Sequence, residues 1–423
     1  MIFLFLASAL IPVPGAGQDS DEQSKLHFSG RLSTRYRAQW NRDDRDHDIL
    51  QYLNFDLDNL FTPKVSLHGF LRAGEDVDDR DPIFDWTNYD VQDRVYVLYL
   101  EAKEVPAHST VHIGRQYYEG LEGVQFDGLR FMRNEAKWLS WEVFGGRYVT
   151  LYDRDLRQNT KVSGAQVTSR PFRTTSLSGE YLRLMDFPRG DDDYVNVAYR
   201  QTIGKLNLFT QYSVLNGQPK DLSARAFWLL EGGWVVSAKY FRLLHALEEL
   251  SNEFDPYYPI FGPYMRFDQY NLDVTKYFGE HFSVSAGYSG RRLSDGSDES
   301  VANREFDRYC GSLSVRDVLA RGLGFSTMFE RWLATDDEGT YSVGGEVSYT
   351  LKKKWDVSLG TYYSKYKYDV DLVTERIDVR TWYARLKYTF KPNLHFSLRG
   401  EREDDNSPES PYGKIELRVT YEF

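Results

Sequence analysis

Apolar and polar residues alternate along most of the chain after residue 25. In the segment 26–40, Leu32, Tyr36 and Trp40 occupy one set of alternate positions, and arginines and serines occupy the other. Successive side chains of a β-strand point to opposite faces, so this period of two predicts a strand with one apolar and one polar face. The pattern recurs at 65–71, 282–288, 323–329, 341–351, 355–363 and 415–423. Strands of about ten such residues separated by turns are typical of a transmembrane β-barrel.

A soluble β-sandwich also alternates, but a sandwich of this length needs several domains. The chain has no Pro-, Ser- or Gly-rich linker and no break in composition. The apolar faces also carry large aromatic residues, as an interfacial girdle requires; these are Trp40, Trp228, Trp355, Trp382 and Tyr421. We therefore predict one outer-membrane β-barrel domain over residues 26–423.

Turn and loop segments set the expected number of strands. Ten short turns alternate with eleven longer polar loops, which predicts an all-β, antiparallel up-and-down barrel of about 22 strands, within a range of 18–22. Such a barrel is roughly 40–45 Å across at the backbone, and barrels of this size hold a plug. The first strand follows the N-terminal segment so closely that we expect no N-terminal plug domain. The lumen is then filled by infolded loops, filled by a partner protein or open as a wide pore, and we expect a constriction or a partner.

Composition excludes several other classes of protein. The chain has 423 residues, a formal charge of -11 and a mean hydropathy of -0.56. Its single cysteine excludes a disulfide scaffold, a Cys-based zinc site and covalently attached haem. We therefore expect no cofactor in this chain, and haem only through a partner. The acidic balance argues against binding to nucleic acid.

The N-terminal segment resembles a secretory signal peptide. Residues 1–17 contain a short apolar run followed by prolines and small residues, and predict a cleaved signal peptide. No Lys or Arg precedes the apolar run, which departs from the usual pattern. The run is too short for a membrane-spanning anchor, which needs about 20 residues. We expect secretion to the periplasm, with 18–25 left as a short periplasmic segment.

The polar faces of the strands supply candidates for the lumen wall, and arginine is frequent among them. The candidates for lining and selectivity are Arg31, Arg35, Arg37, Arg72, Arg130, Arg308, Arg399, Arg418, Glu346 and Glu401. Arginines along a pore favour anions through the local potential. Alternatively, facing Arg and Glu residues pair across neighbouring strands and only hold the wall rigid. The sequence leaves both interpretations open.

Excess negative charge lies in the predicted loops. Asp76, Asp78 and Asp79 belong to a carboxylate-rich loop that could hold Ca²⁺ or Mg²⁺, although no loop matches the calcium-binding consensus. Solvated loops are the simpler interpretation. Two loops also contain prolines and aromatic residues, which suit packing rather than solvation. Their candidates for narrowing the pore are Trp86, Tyr257, Tyr258 and Phe261; packing against a neighbouring subunit is the alternative.

The chain ends in Tyr421-Glu422-Phe423 on an alternating strand. A terminal Phe in this setting resembles the assembly signal of Gram-negative outer-membrane barrels, with Tyr421 and Phe423 as the signal residues. The resemblance implies insertion by the barrel-assembly machinery into the outer membrane, in contact with lipid and lipopolysaccharide.

A second, local resemblance concerns His112-Ile113-Gly114-Arg115-Gln116 followed by Phe126-Asp127-Gly128-Leu129-Arg130. A strand ending in Gly-Arg-Gln and then Phe-Asp-Gly-x-Arg is similar to porins of the phosphate-selective and alginate-export type. In that family the Gly-Arg-Gln strand borders the channel. The resemblance implies a channel that passes solutes or a polymer, but no particular solute.

Two other functions stay open at this point. A wide barrel without a plug could enclose a periplasmic multihaem cytochrome and serve as the sheath of an electron conduit. Some outer-membrane barrels are enzymes, but the chain has no G-x-S-x-G or H-E-x-x-H motif. The remaining catalytic candidate is His47 beside Asp46 or Asp48. We expect that the protein is not an enzyme. Of the two remaining functions, we favour a channel over a cytochrome sheath.

Overall fold

The structure is a computed structural model, and it describes residues 25–78, 93–105, 108–121, 123–149, 160–186, 190–245, 265–294, 305–334, 339–369 and 374–423. The described residues form strands, turns and bends without a helix. No helix in this part of the chain is long and apolar enough to cross a membrane.

The described residues contain 22 strands. In chain order they are β1 (His27–Trp40), β2 (Arg45–Asp58), β3 (Val65–Asp76), β4 (Arg94–Val105), β5 (Ser109–Glu119), β6 (Gly123–Ala136), β7 (Leu139–Tyr148), β8 (Lys161–Phe172), β9 (Thr175–Asp186), β10 (Gly190–Ile203), β11 (Leu206–Leu215), β12 (Gln218–Leu230), β13 (Trp234–Leu243), β14 (Phe267–Phe278), β15 (Phe282–Leu293), β16 (Phe306–Arg316), β17 (Leu323–Ala334), β18 (Thr340–Leu351), β19 (Trp355–Asp369), β20 (Thr374–Lys391), β21 (Leu394–Asp404) and β22 (Tyr412–Glu422).

Each strand pairs antiparallel with its neighbours in the chain, and β1 also pairs with β22, so the sheet closes on itself. The predicted number of 22 strands and the up-and-down order are therefore confirmed. Both described ends of the chain lie at the end of the barrel that carries the short connections, which we name the turn end. The opposite end, at which β1 ends and β2 begins, is named the loop end.

The closing seam joins residues from the two ends of the sequence. Its register runs from Arg31 opposite Glu422 to Trp40 opposite Gly413. The backbones of Gly30 and Phe423 exchange two hydrogen bonds of 2.9 and 3.0 Å, and the Phe423 ring lies 4.8 Å from the Phe28 ring. The terminal residue thus completes the seam by backbone pairing and by ring packing.

The two faces of the sheet differ in chemistry as the alternation predicts. On β22, Ile415, Leu417 and Tyr421 are exposed, and the alternate positions carry Lys414, Glu416 and Arg418. Trp228, Trp355 and Trp382 are also exposed on the apolar face. Since one face of a closed barrel is the exterior, this apolar face is outward and the charged face lines the lumen.

Candidate functional site

Among the described residues, a concentration of charge on the inner face lies across the closing seam. Two adjacent cross-strand rows run from β2 through β1, β22, β21 and β20 to β19. One row contains Asp48, Arg37, Glu416, Arg399, Arg385 and Ser358, and the other contains Leu50, Arg35, Arg418, Ser397, Lys387 and Asp356. Six cations therefore face three carboxylates. We name the six, Arg35, Arg37, Arg385, Lys387, Arg399 and Arg418, the basic belt.

Like charges lie directly opposite each other within this belt. Arg35 is the register partner of Arg418, and Arg385 is the register partner of Arg399. Facing like charges destabilise a sheet. A wall selected only for rigidity would place opposite charges in these positions, so the two arginine pairs argue for a role of the belt in the lumen.

Carboxylates compensate the belt only in part. Glu416 bridges Arg35 at 2.7 Å and Arg418 at 2.9 Å, and Glu401 accepts from Arg399 at 2.6 Å. Arg385 lies 3.7 Å from Glu346. Within the described part of the chain, Lys387 makes no ion pair. The side chains of Arg385, Arg399 and Arg418 stay about half exposed, so their positive charge reaches the solvent in the lumen.

The other predicted lining residues also lie on the inner face, and most of them pair with acids. Arg130 binds Glu142 and Arg308 binds Glu330, both at 2.6 Å. Arg31 reaches Glu422 at 3.1 Å near the turn end. Arg72 is buried, with its guanidinium 5.7 Å from the Tyr96 ring. Away from the belt, arginine–carboxylate pairing therefore stiffens the wall.

A different sector of the inner face is apolar and covered. At the loop end of β5–β14, the inward positions form a cluster of buried residues, named here the inner apolar cluster: Tyr118, Val124, Phe126, Phe144, Val162, Leu182, Leu184, Tyr194, Leu215, Leu243 and Phe267. These residues are almost inaccessible to solvent, whereas the side chains of Arg385, Arg399 and Arg418 in the basic belt are about half exposed.

Glu180 on β9 contacts the connection between β5 and β6. Its Oε2 accepts from the Tyr118 hydroxyl at 2.6 Å and from the Leu121 backbone N–H at 2.7 Å. A third donor is the Gln166 side chain at 3.4 Å. Leu121 follows β5, so its bond to β9 passes over β6, β7 and β8. The connection between β5 and β6 thus folds inward, and we name this contact the Glu180 anchor.

Inward histidines form a second polar group nearer the turn end. His68 Nδ1 lies 2.5 Å from Asp56, and His112 Nε2 lies 3.0 Å from Glu101. The Tyr99 ring stacks between the two imidazoles at 5.0 and 4.5 Å. Alternation already places these histidines on the inner face, but only the register between β2, β3, β4 and β5 brings them together.

The structure separates His47 from Asp46 and Asp48, the arrangement that the sequence left open. His47 faces outward, where its Nδ1 lies 2.7 Å from the Tyr36 hydroxyl. Asp46 and Asp48 occupy the alternate, inward positions, and Asp48 pairs with Arg37 at 2.6 Å. Adjacent residues of a strand point to opposite faces, so the imidazole cannot meet either carboxylate.

Of the predicted loop carboxylates, Asp76 and Asp78 converge with Asp46, which belongs to a different carboxylate-rich segment of the sequence. Ligand oxygens of Asp46, Asp76 and Asp78 all lie within 4.8 Å of one another at the loop end. Asp79 lies outside the described residues. So do Trp86, Tyr257, Tyr258 and Phe261, and the signal peptide at 1–17.

The Gly-Arg-Gln motif borders an interruption in the sheet. The register partner of Arg115 is Leu98. The part of β4 that precedes Leu98 does not pair with β5. Arg115 faces outward, where it donates two hydrogen bonds to the Asp127 carboxylate, at 2.6 and 2.7 Å. It also donates to the Val95 carbonyl at 3.1 Å. Gln125 donates to the Tyr96 carbonyl. Gln116 is the motif's buried inner residue, so Arg115 closes the wall instead of lining the lumen.

Comparisons with known proteins bear on the fold. The structure is similar to the translocation pore of the P pilus usher PapC, with a TM-score of 0.53 and 9% identity over 94% of this chain and 99% of that chain. It is also similar to the siderophore receptor PirA from Pseudomonas aeruginosa, with a TM-score of 0.52 and 12% identity over 96% of this chain and 82% of that chain. OccAB1 from Acinetobacter baumannii matches at a TM-score of 0.41 and 14% identity, over 96% of this chain and 100% of that chain.

No protein-family model matches the sequence, and no curated protein matches it. Likeness at these identities concerns the fold. The chain has the fold of an outer-membrane β-barrel, and the predicted class is confirmed at that level.

Proposed function

We propose that this chain is an outer-membrane channel whose open lumen runs along the basic belt and favours small anions. The two facing arginine pairs, Arg35 with Arg418 and Arg385 with Arg399, carry the proposal. Their mutual repulsion opposes folding, and a requirement for a positive potential in the lumen accounts for it. The compensating acids Glu346, Glu401 and Glu416 limit the preference, so selectivity is moderate.

The covered inner apolar cluster supports a narrowed pore rather than a free opening of barrel width. It occupies the wall opposite the belt, so solutes that pass the loop end travel beside half-exposed arginines. The low-dielectric wall concentrates the electric field of the arginines in the water that remains in the pore. Because this pore is narrowed, we propose that it passes small, hydrated anions.

The location and assembly belong to the same proposal. The outward girdle of tryptophans and the seam completed by Phe423 suit insertion into an outer membrane by the barrel-assembly machinery, after secretion to the periplasm. The barrel then contacts lipid and lipopolysaccharide. Pulldown of the chain from its native membrane distinguishes the channel from the cytochrome sheath, because a sheath would carry haem absorbance with it.

Neutralising three members of the belt tests the proposal. In planar bilayers under a KCl gradient, K387Q/R399Q/R418Q is expected to lower the anion-to-cation permeability ratio at least about threefold, because three positive charges leave the lumen wall. The matched control, R173Q/K205Q/R321Q, removes three charges from exposed turns at the turn end. An unchanged ratio in the belt variant, or an equal change in the control, would refute the role of the belt.

A further inference from the structure

The group formed by Asp46, Asp76 and Asp78 has an unusual member. Asp46 is 1% exposed, and neither of its carboxylate oxygens has a hydrogen-bond partner. An ionised carboxylate buried without a donor or a cation is strongly unfavourable. Two further carboxylates lie with their oxygens within 4.8 Å of it. Something must compensate this concentration of negative charge.

Backbone geometry holds the three carboxylates together. Asp46 lies near the start of β2, and Asp76 is the last residue of β3, one register step away opposite Asp48. The ladder continues beyond the strand, because Val77 N–H donates to the His47 carbonyl at 2.8 Å. The His47 N–H then donates to Asp78 Oδ1, and the Asp78 N–H donates to Asp76 Oδ1, both at 3.1 Å. The cluster is therefore part of the barrel rim.

Two neighbouring side chains add further oxygen atoms to the group. Gln39 is the register partner of Asp46, and its buried amide oxygen has no hydrogen-bond partner. Asp48 is fully buried, and its Oδ1 also has no partner. Arg37 is the nearby cation, but its guanidinium is engaged with Asp48 Oδ2 at 2.6–2.7 Å. Among the described residues, the carboxylates of Asp46, Asp76 and Asp78 and the amide oxygen of Gln39 thus form an oxygen-rich group.

We propose that Asp46, Asp76 and Asp78 form a Ca²⁺ site at the loop end of the barrel. Carboxylate and amide oxygens are the ligands of hard divalent cations. Ca²⁺–oxygen bonds of about 2.3–2.6 Å allow ligand oxygens to lie up to about 5 Å apart, which the cluster satisfies as it stands. Mg²⁺ bonds of about 2.0–2.1 Å require closer ligands, so Ca²⁺ binds better. This site stands independently of the proposed channel.

A bound Ca²⁺ would fasten the end of β3 to the start of β2. In the sequence Asp46 belongs to a different carboxylate-rich segment from Asp76 and Asp78, and it joins them only through the pairing of β2 with β3.

Calorimetric titration of CaCl₂ into the EDTA-stripped, folded chain in detergent tests the site. Wild type is expected to bind one Ca²⁺, and Asp46→Asn is expected to lower the affinity at least about tenfold, because it removes the buried anionic ligand. The matched control is Asp43→Asn, which removes an exposed carboxylate from the same β1–β2 connection. It is expected to bind like wild type.

Thermal unfolding separates loss of the ion from loss of the fold. In EDTA, Asp46→Asn is expected to melt no lower than wild type, since it removes an uncompensated buried charge. Added CaCl₂ is expected to raise the melting temperature of wild type and Asp43→Asn but not of Asp46→Asn. If Asp46→Asn does not fold, Asp78→Asn takes its place. Absence of saturable Ca²⁺ binding by wild type, unchanged affinity in the variant, or tighter binding of MgCl₂ would overturn the proposal.

Discussion

Replacing Arg37 by methionine is expected to destabilise the barrel by about 3–5 kcal/mol. Arg37 and Asp48 form an ion pair whose side chains are 3% and 0% exposed. Removing one partner of a buried pair leaves the other as an uncompensated charge, and the penalty for that charge exceeds the worth of the pair itself. Urea unfolding in detergent, followed by tryptophan fluorescence, measures the difference in free energy of unfolding.

Two further variants serve as controls for the effect of Arg37→Met. Arg31→Met removes an arginine from an exposed pair, in which Arg31 and Glu422 are 62% and 44% exposed, and is expected to cost about 0–1 kcal/mol. The double variant Arg37→Met with Asp48→Leu removes both buried charges and is expected to recover most of the loss. Equal effects of Arg37→Met and Arg31→Met would contradict the assignment of Arg37–Asp48 as the buried pair of the rim.

Replacing Glu180 by alanine is expected to destabilise the barrel by about 2–4 kcal/mol, because the Tyr118 hydroxyl and the Leu121 N–H both lose their buried acceptor. The variant is also expected to conduct more, since the β5–β6 connection loses the bond that holds it over the inner wall. Urea unfolding measures the first effect, and single-channel conductance measures the second.

The Glu180 anchor has a matched control and an independent variant. Glu346→Ala also removes an inward acceptor of a tyrosine hydroxyl, Tyr383 at 2.9 Å, but at a more exposed site, and is expected to cost about 1 kcal/mol. Gly120→Val should act like Glu180→Ala, because a Cβ at residue 120 would clash with Glu180 Oε2. Stable, unchanged conductance in both anchor variants would show that this connection does not narrow the pore.

Alternation in the sequence predicted the face of each residue, because a period of two is a local property of a strand. It placed the lining candidates Arg35, Arg399 and Arg418 on the inner face and the tryptophan girdle outside. Counting turns also predicted 22 strands, because short polar turns interrupt the apolar pattern at regular intervals. The face of each residue and the number of strands can be predicted without knowing the register between neighbouring strands.

Features that depend on the register between strands could not be predicted from the sequence. Arg35 and Arg418 come from opposite ends of the chain, and only the closing seam makes them partners. Asp46 joins Asp76 and Asp78 through the ladder between β2 and β3. The bond of Leu121 to Glu180 requires a loop that turns inward, which no strand period encodes. The separation of His47 from Asp46 has a simpler reason, since the strand period itself places adjacent residues on opposite faces.

A single-channel recording of the purified wild-type chain in a planar bilayer under a KCl gradient tests the central claim most directly. The account predicts stable conductance steps with a reversal potential on the anion-selective side. A barrel shown to be folded by its electrophoretic heat-modifiability that gives no steps, or a reversal potential on the cation-selective side, would contradict it.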